Sequence, residues 1–121
     1  MKNKEPYGWE TQIDLYDCDL ETIQSEEKLI DFAYQLVALI DMKIYGIPVA
    51  PYFGTNCEKT AGRSLFTFLE TSNLCMHLSD SRKSAYLTLF SCKIYDPEIV
   101  RDFSMKFFGA KDCVLHFLER F

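Results

Sequence analysis

The chain has 121 residues, enough for one domain, and its 48% hydrophobic and 26% charged residues are typical of a folded protein. Its net charge of −5 argues against nucleic-acid binding, which needs a basic surface. No stretch approaches the ~18 uninterrupted apolar residues of a membrane span, and the N-terminus lacks the apolar segment of a signal peptide.

The number and spacing of the cysteines and histidines indicate which disulfides and metal sites the chain can form. The five cysteines are an odd number without Cys-x-x-Cys spacing, and the two histidines complete no zinc pattern. We therefore expect free thiols, no metal site and a cytoplasmic location, with neither nucleic acid nor membrane as a partner.

The first half of the chain predicts a strand, a helix and a broken strand. Residues 9–16 alternate in polarity, which indicates a strand with one polar face. Ser25 and two following acids predict a helix start, and the helix should end near Met42. Gly46 and Pro48 interrupt residues 44–53, which is typical of an edge or bulged strand.

The second half predicts strands, one helix and a last strand. Residues 64–71, 73–78 and 84–93 are strand-like, and Asp96 followed by Pro97 predicts a helix that stops at Gly109. A final strand should cover residues 113–118. This order predicts a single α+β domain over residues 1–121, a two-layer sandwich of a mainly antiparallel sheet with two helices on one face. The other face would need solvent-tolerant side chains or a second subunit.

Nucleophiles and acid–base groups are concentrated on these strands. Ser64, Ser72, His77 and Cys92 lie within 29 positions, although strands that only fill a core need no such chemistry. A serine in a strained turn, a base and an oxyanion donor are what a chain needs to cleave itself and convert that serine into a pyruvoyl group. Such a ketone forms a Schiff base with an amino acid and accepts electrons during decarboxylation, after which an acid protonates the α-carbon.

Strand geometry adds one requirement. Ser72 and His77 are five positions apart, so on one ideal strand their side chains face opposite sides of the sheet. We therefore expect a kink or turn at the cleavage site.

In the spacing of these residues, the chain resembles the small, bacterial-type S-adenosylmethionine decarboxylase proenzymes. The similarity covers nearly the whole chain and includes the segment Asp-Leu-Tyr-Asp-Cys-Asp at residues 14–19, Ser64 eight residues before Ser72, His77 five residues after it, and Phe-Ser-Cys ending at Cys92. The resemblance implies self-cleavage between Thr71 and Ser72 into a β chain of residues 1–71 and an α chain of residues 72–121. It implies that Ser72 becomes the pyruvoyl cofactor.

The same resemblance implies a role for each matched residue. His77 would remove the α-proton of Ser72, Ser64 would hydrogen bond at the cleavage site, and Cys92 would protonate the decarboxylated carbon. The product would be the aminopropyl donor for spermidine synthesis, made by a homodimer of processed protomers. Contacts to S-adenosylmethionine are predicted for Trp9, whose ring suits a sulfonium or adenine, and for Asp14, Asp17 and Glu70.

Two departures from the family pattern leave alternatives open. The family usually cuts a Glu-Ser bond, whereas Thr71 here separates Glu70 from Ser72. The family also commonly has an aromatic residue, a proline and a glutamate after the histidine, where this chain has residues 78–81, Leu-Ser-Asp-Ser, with Asp80 a shifted substitute for the glutamate. The alternatives are decarboxylation of arginine or ornithine on the same scaffold, and an unprocessed regulatory homologue.

Overall fold

The fold is built on a single antiparallel sheet. The computed structural model describes residues 5–121. The first four residues of the predicted fragment 1–71 lie outside the described residues. The strands run in the order β2-β4-β5-β6-β1-β7, with β3 also paired to β4. Their bounds are β1 Gly8–Tyr16, β2 Ile44–Val49, β3 Tyr52–Phe53, β4 Gly62–Leu69, β5 Ser72–Ser79, β6 Ser84–Ser91 and β7 Asp112–Arg120.

Three helices accompany the sheet: α1 Leu20–Gln24, α2 Glu26–Leu39 and α3 Pro97–Phe108. The predicted caps of the two long helices are confirmed, because Ser25 accepts the N–H of Lys28 and Asp96 accepts that of Glu98. Gly109 ends α3 in the left-handed conformation, at φ 60°. The short helix α1 was not predicted; it lies between the strand predicted for residues 9–16 and the helix start predicted at Ser25.

Alternation along the strands divides the sheet into two faces. On β4 the side chains of Leu65 and Leu69 are buried towards the helices, whereas Phe66 and Phe68 are exposed on the opposite face. Buried residues of the helices, including Phe32 and other apolar side chains, cover the first face. The predicted α+β class with helices on one face is therefore confirmed.

The face of the sheet that points away from the helices is called the open face below. Its edge near β2 and β4 carries large apolar side chains, with Phe68 73% exposed and Tyr45 70% exposed. Within residues 5–121, the structure contains no helix of sufficient length and apolar character to cross a membrane.

Candidate active site

The predicted cleavage bond lies in a tight hairpin turn. Strands β4 and β5 are joined by Glu70 and Thr71 alone, since Leu69 already pairs with Ser72. Thr71 has φ 64°, a left-handed conformation that is strained for a β-branched side chain. The strain therefore lies on the residue that contributes the carbonyl of the Thr71–Ser72 bond.

The hydroxyl of Ser72 is directed at a second serine. Register places Ser72 opposite Ser91 on β6, and the Ser72 hydroxyl donates to Ser91 Oγ at 2.8 Å. Ser91 is completely buried, and its Oγ also accepts the backbone N–H of Lys93 at 2.9 Å. No spacing in the sequence singles out Ser91, because only the register of β5 against β6 reveals this contact.

The carbonyl of the same bond has a hydrogen-bond donor. The backbone N–H of Cys92 points at the carbonyl oxygen of Thr71 with an N···O distance of 3.4 Å. A donor in this position would stabilise negative charge on that oxygen if the carbonyl carbon were attacked. The Ser72 hydroxyl and the Thr71 carbonyl are thus hydrogen bonded by two consecutive residues of one segment, Ser91 and Cys92.

An aromatic surface lies beside the Cys92 thiol. The interaction of the Tyr7 hydroxyl with Cys92 is the main cause that raises the pKa of Tyr7 above its usual value. The Tyr7 ring stacks on Phe90 with centroids 6.4 Å apart, and the guanidinium of Arg120 lies 5.3 Å from the Phe90 centroid. Cys92 is therefore partly buried next to a flat apolar surface with a polar rim.

Ser64 and His77 form a separate pair. They face each other on β4 and β5, and Ser64 Oγ lies 2.9 Å from His77 Nδ1. Phe66 contacts the imidazole edge-on, with ring centroids 5.8 Å apart. The pair lines a cavity of about 280 Å³ together with Lys59 and Tyr86, among other residues.

The Ser72 hydroxyl and the Ser64–His77 pair lie at opposite ends of β5 and on opposite faces of the sheet. At about 3.3 Å per residue, Ser72 and His77 are separated by about 16 Å along the strand. Strand β5 runs without a break from Ser72 to Ser79 and pairs regularly with both neighbours. The expected turn is present at the cleavage site, but it precedes Ser72 and leaves Ser72 and His77 on opposite faces of the sheet within one chain.

Comparison with known proteins identifies the family. Residues 9–121 match the family model for S-adenosylmethionine decarboxylase. The chain belongs to this decarboxylase family. A solved structure, the adenosylmethionine decarboxylase from Aquifex aeolicus, is 17% identical, covers 96% of this chain and 92% of its own, and has a TM-score of 0.78, which shows the same fold. A search of curated proteins found no significant match.

The residues predicted to contact the substrate lie partly at the Ser72 end of β5 and partly at its His77 end. Trp9 on β1 pairs with Ser91 on β6, and Glu70 is exposed in the turn, so both residues lie at the Ser72 end of β5. Asp14 pairs with Tyr86, which in turn pairs with His77, and so belongs to the other end.

Two further acids lie elsewhere. Asp17 follows β1 with φ 55°, and it lines a surface depression with Lys83 and Lys111. Asp80 accepts hydrogen bonds from Tyr52 and Gln24. The carboxylate considered as a shifted substitute for the family glutamate is thus engaged by residues of its own chain.

Proposed function

We propose that this chain is a proenzyme that cleaves itself between Thr71 and Ser72 and then decarboxylates S-adenosylmethionine. The observation that carries the proposal is the arrangement around one bond: a strained turn, the Ser72 hydroxyl on one side and the Cys92 N–H on the carbonyl. The reaction class follows from membership of the decarboxylase family.

The surroundings of Ser72 fit a pyruvoyl group derived from it. Such a group supplies an electrophilic carbonyl that holds the substrate amine and accepts electrons as carbon dioxide leaves. Because cleavage would occur in a turn, β4 and β5 would remain paired, and the new N-terminus at Ser72 would stay beside Ser91 and Cys92. The Cys92 thiol would then act as the acid that returns a proton, and the interaction of Tyr7 with Cys92 raises the pKa of Tyr7.

The complete site is a composite of two copies. Ser64 and His77 lie about 16 Å from Ser72 along β5, too far to remove its α-proton within one chain. Two copies packed open face to open face, with their β5 strands antiparallel, would place the Ser64–His77 pair of each near the Ser72 end of the other, on the face opposite to the Ser72 hydroxyl. The exposed aromatic side chains of the open face, such as Phe68, are suited to burial in such a homodimer.

Mixing two inactive variants tests both parts of this proposal. Ser72→Ala removes the cleavable serine but keeps His77, whereas His77→Ala removes the imidazole but keeps Ser72. In mixed dimers we expect the His77→Ala chain to be cleaved, as followed by intact mass, whereas each variant alone stays whole. The matched control pairs His77→Ala with the double variant Ser72→Ala/His77→Ala, which supplies no imidazole. Isolated mixed dimers that remain uncleaved would contradict the composite site.

Substrate identity is tested on the cleaved wild-type protein. Carbon dioxide release is measured with S-adenosylmethionine, arginine and ornithine at equal concentrations. We expect release from S-adenosylmethionine at a rate at least tenfold above the other two, since one well-placed interaction changes a rate by about that factor. Release from arginine or ornithine alone would overturn this assignment, because the altered segment after His77 would then have changed the specificity.

A further inference from the structure

We infer that Ser91 positions the Ser72 hydroxyl for the acyl shift that begins self-cleavage, an inference that rests on the proposed function. Ser91 is 0% exposed, and its Oγ accepts two hydrogen bonds, from the Ser72 hydroxyl and from the Lys93 N–H. A buried hydroxyl with two fixed donors has little freedom to move, so it defines where the Ser72 oxygen lies.

The direction of the hydrogen bond matters for the chemistry. Because Ser72 donates its proton to Ser91, both lone pairs of the Ser72 oxygen remain free for attack. In the shift, that oxygen bonds to the Thr71 carbonyl carbon, the C–N bond to Ser72 breaks, and the hydroxyl proton ends on the released Ser72 nitrogen. The step is an isomerisation and needs no co-reactant.

Ser91 and the Cys92 N–H act on the two reacting groups of this step, the Ser72 oxygen and the Thr71 carbonyl. Ser91 holds the attacking oxygen, and the adjacent backbone N–H lies 3.4 Å from the oxygen of the attacked carbonyl. The continuous register of β5 with β6 holds both groups against the strained turn. The side chain of Ser91 reaches the reacting serine through its hydroxyl and forms no bond in the step, and its contribution is therefore one of orientation.

Substitution with a matched control tests this role. Ser91→Ala removes the acceptor, and Ser84→Ala removes another buried serine, 1% exposed, at the opposite end of β6. We expect Ser91→Ala to slow cleavage roughly tenfold or more. Ser84→Ala should cleave within twofold of the wild-type rate, and Ser91→Thr, which keeps a hydroxyl, should recover most of the lost rate.

A chemical trap isolates the first step from later ones. In a His77→Ala background the elimination is blocked, and hydroxylamine should cleave the accumulated ester and leave a hydroxamate on Thr71. Adding Ser91→Ala to this background should reduce the hydroxamate formed in a fixed time by roughly tenfold or more. Circular dichroism and thermal unfolding of each variant report whether it is folded, and only folded variants are compared.

The outcomes separate this inference from the proposed function. A wild-type chain that never cleaves would contradict the proposed function. A wild-type chain that cleaves while Ser91→Ala cleaves and yields hydroxamate equally fast would overturn the role of Ser91 alone. Equal slowing by Ser91→Ala and Ser91→Thr would also overturn it, because packing rather than the hydroxyl would then be responsible.

Discussion

Thr71 is the residue whose backbone conformation conflicts most with its side chain. A left-handed conformation costs a residue with a β-carbon about 1–2 kcal/mol, and β-branching makes that conformation rarer still. Glycine adopts the same φ without this cost. A chain that retains threonine here keeps strain next to the bond that is proposed to break, and an acyl shift would release part of it.

Replacing Thr71 with glycine should therefore separate stability from processing. In the uncleavable Ser72→Ala background, Thr71→Gly should raise the free energy of unfolding by about 0.5–1 kcal/mol, measured by urea denaturation, because relief of strain exceeds the added chain entropy. In the wild-type background, the same change should slow cleavage. A less stable Thr71→Gly protein would show that the turn is not strained in the way described.

At the same scale, residue identities were easier to predict than their contacts. The offsets from Ser64 to Cys92 point to the chemistry, and the odd spacing of Ser72 and His77 predicts correctly that they face opposite sides of β5. The pairing of Ser72 with Ser91 depends on register, which the residues 80–83 turn fixes in space and no spacing in the sequence reveals.

Element α1 shows what a short helix requires from its cap. Asp19 Oδ2 accepts both the Thr22 N–H at 3.0 Å and the Thr22 hydroxyl at 2.8 Å. Aspartate with an acid in the first turn was a usable start signal, but a helix of five residues has no apolar periodicity to support it. The two long helices were predicted because their stripes and caps agree.

The cap makes the stability of this region depend on pH. Hydrogen bonds from the Thr22 hydroxyl and then its backbone N–H lower the pKa of Asp19 below its usual value of 3.8. A group with a lowered folded-state pKa contributes its stability above the unfolded pKa and loses it as pH falls through the folded one. Asp19→Ala should therefore lower Tm at pH 7, and the difference from wild type should shrink as the pH falls below the unfolded-state pKa of 3.8. A difference that is constant with pH would contradict this role of the carboxylate.

At the scale of the molecule, the sheet has one face packed against the helices and one open face. Composition and strand order were sufficient to predict an α+β sandwich with one uncovered face, because alternation and helix stripes report burial directly. They could not show that the site residues would divide into two groups at opposite ends of β5. That division follows from antiparallel pairing, which places Ser64 beside His77 and Ser72 beside Ser91.

If the chain makes its own cofactor at Ser72, intact-mass analysis of the purified wild-type protein will detect the cleavage. We expect the 14.1 kDa chain to be replaced by two fragments, residues 1–71 and 72–121, the second beginning with a pyruvoyl group in place of serine. The Ser72→Ala protein, prepared in parallel, should remain whole. A wild-type protein that persists as a single 14.1 kDa species after prolonged incubation would contradict self-cleavage at Ser72.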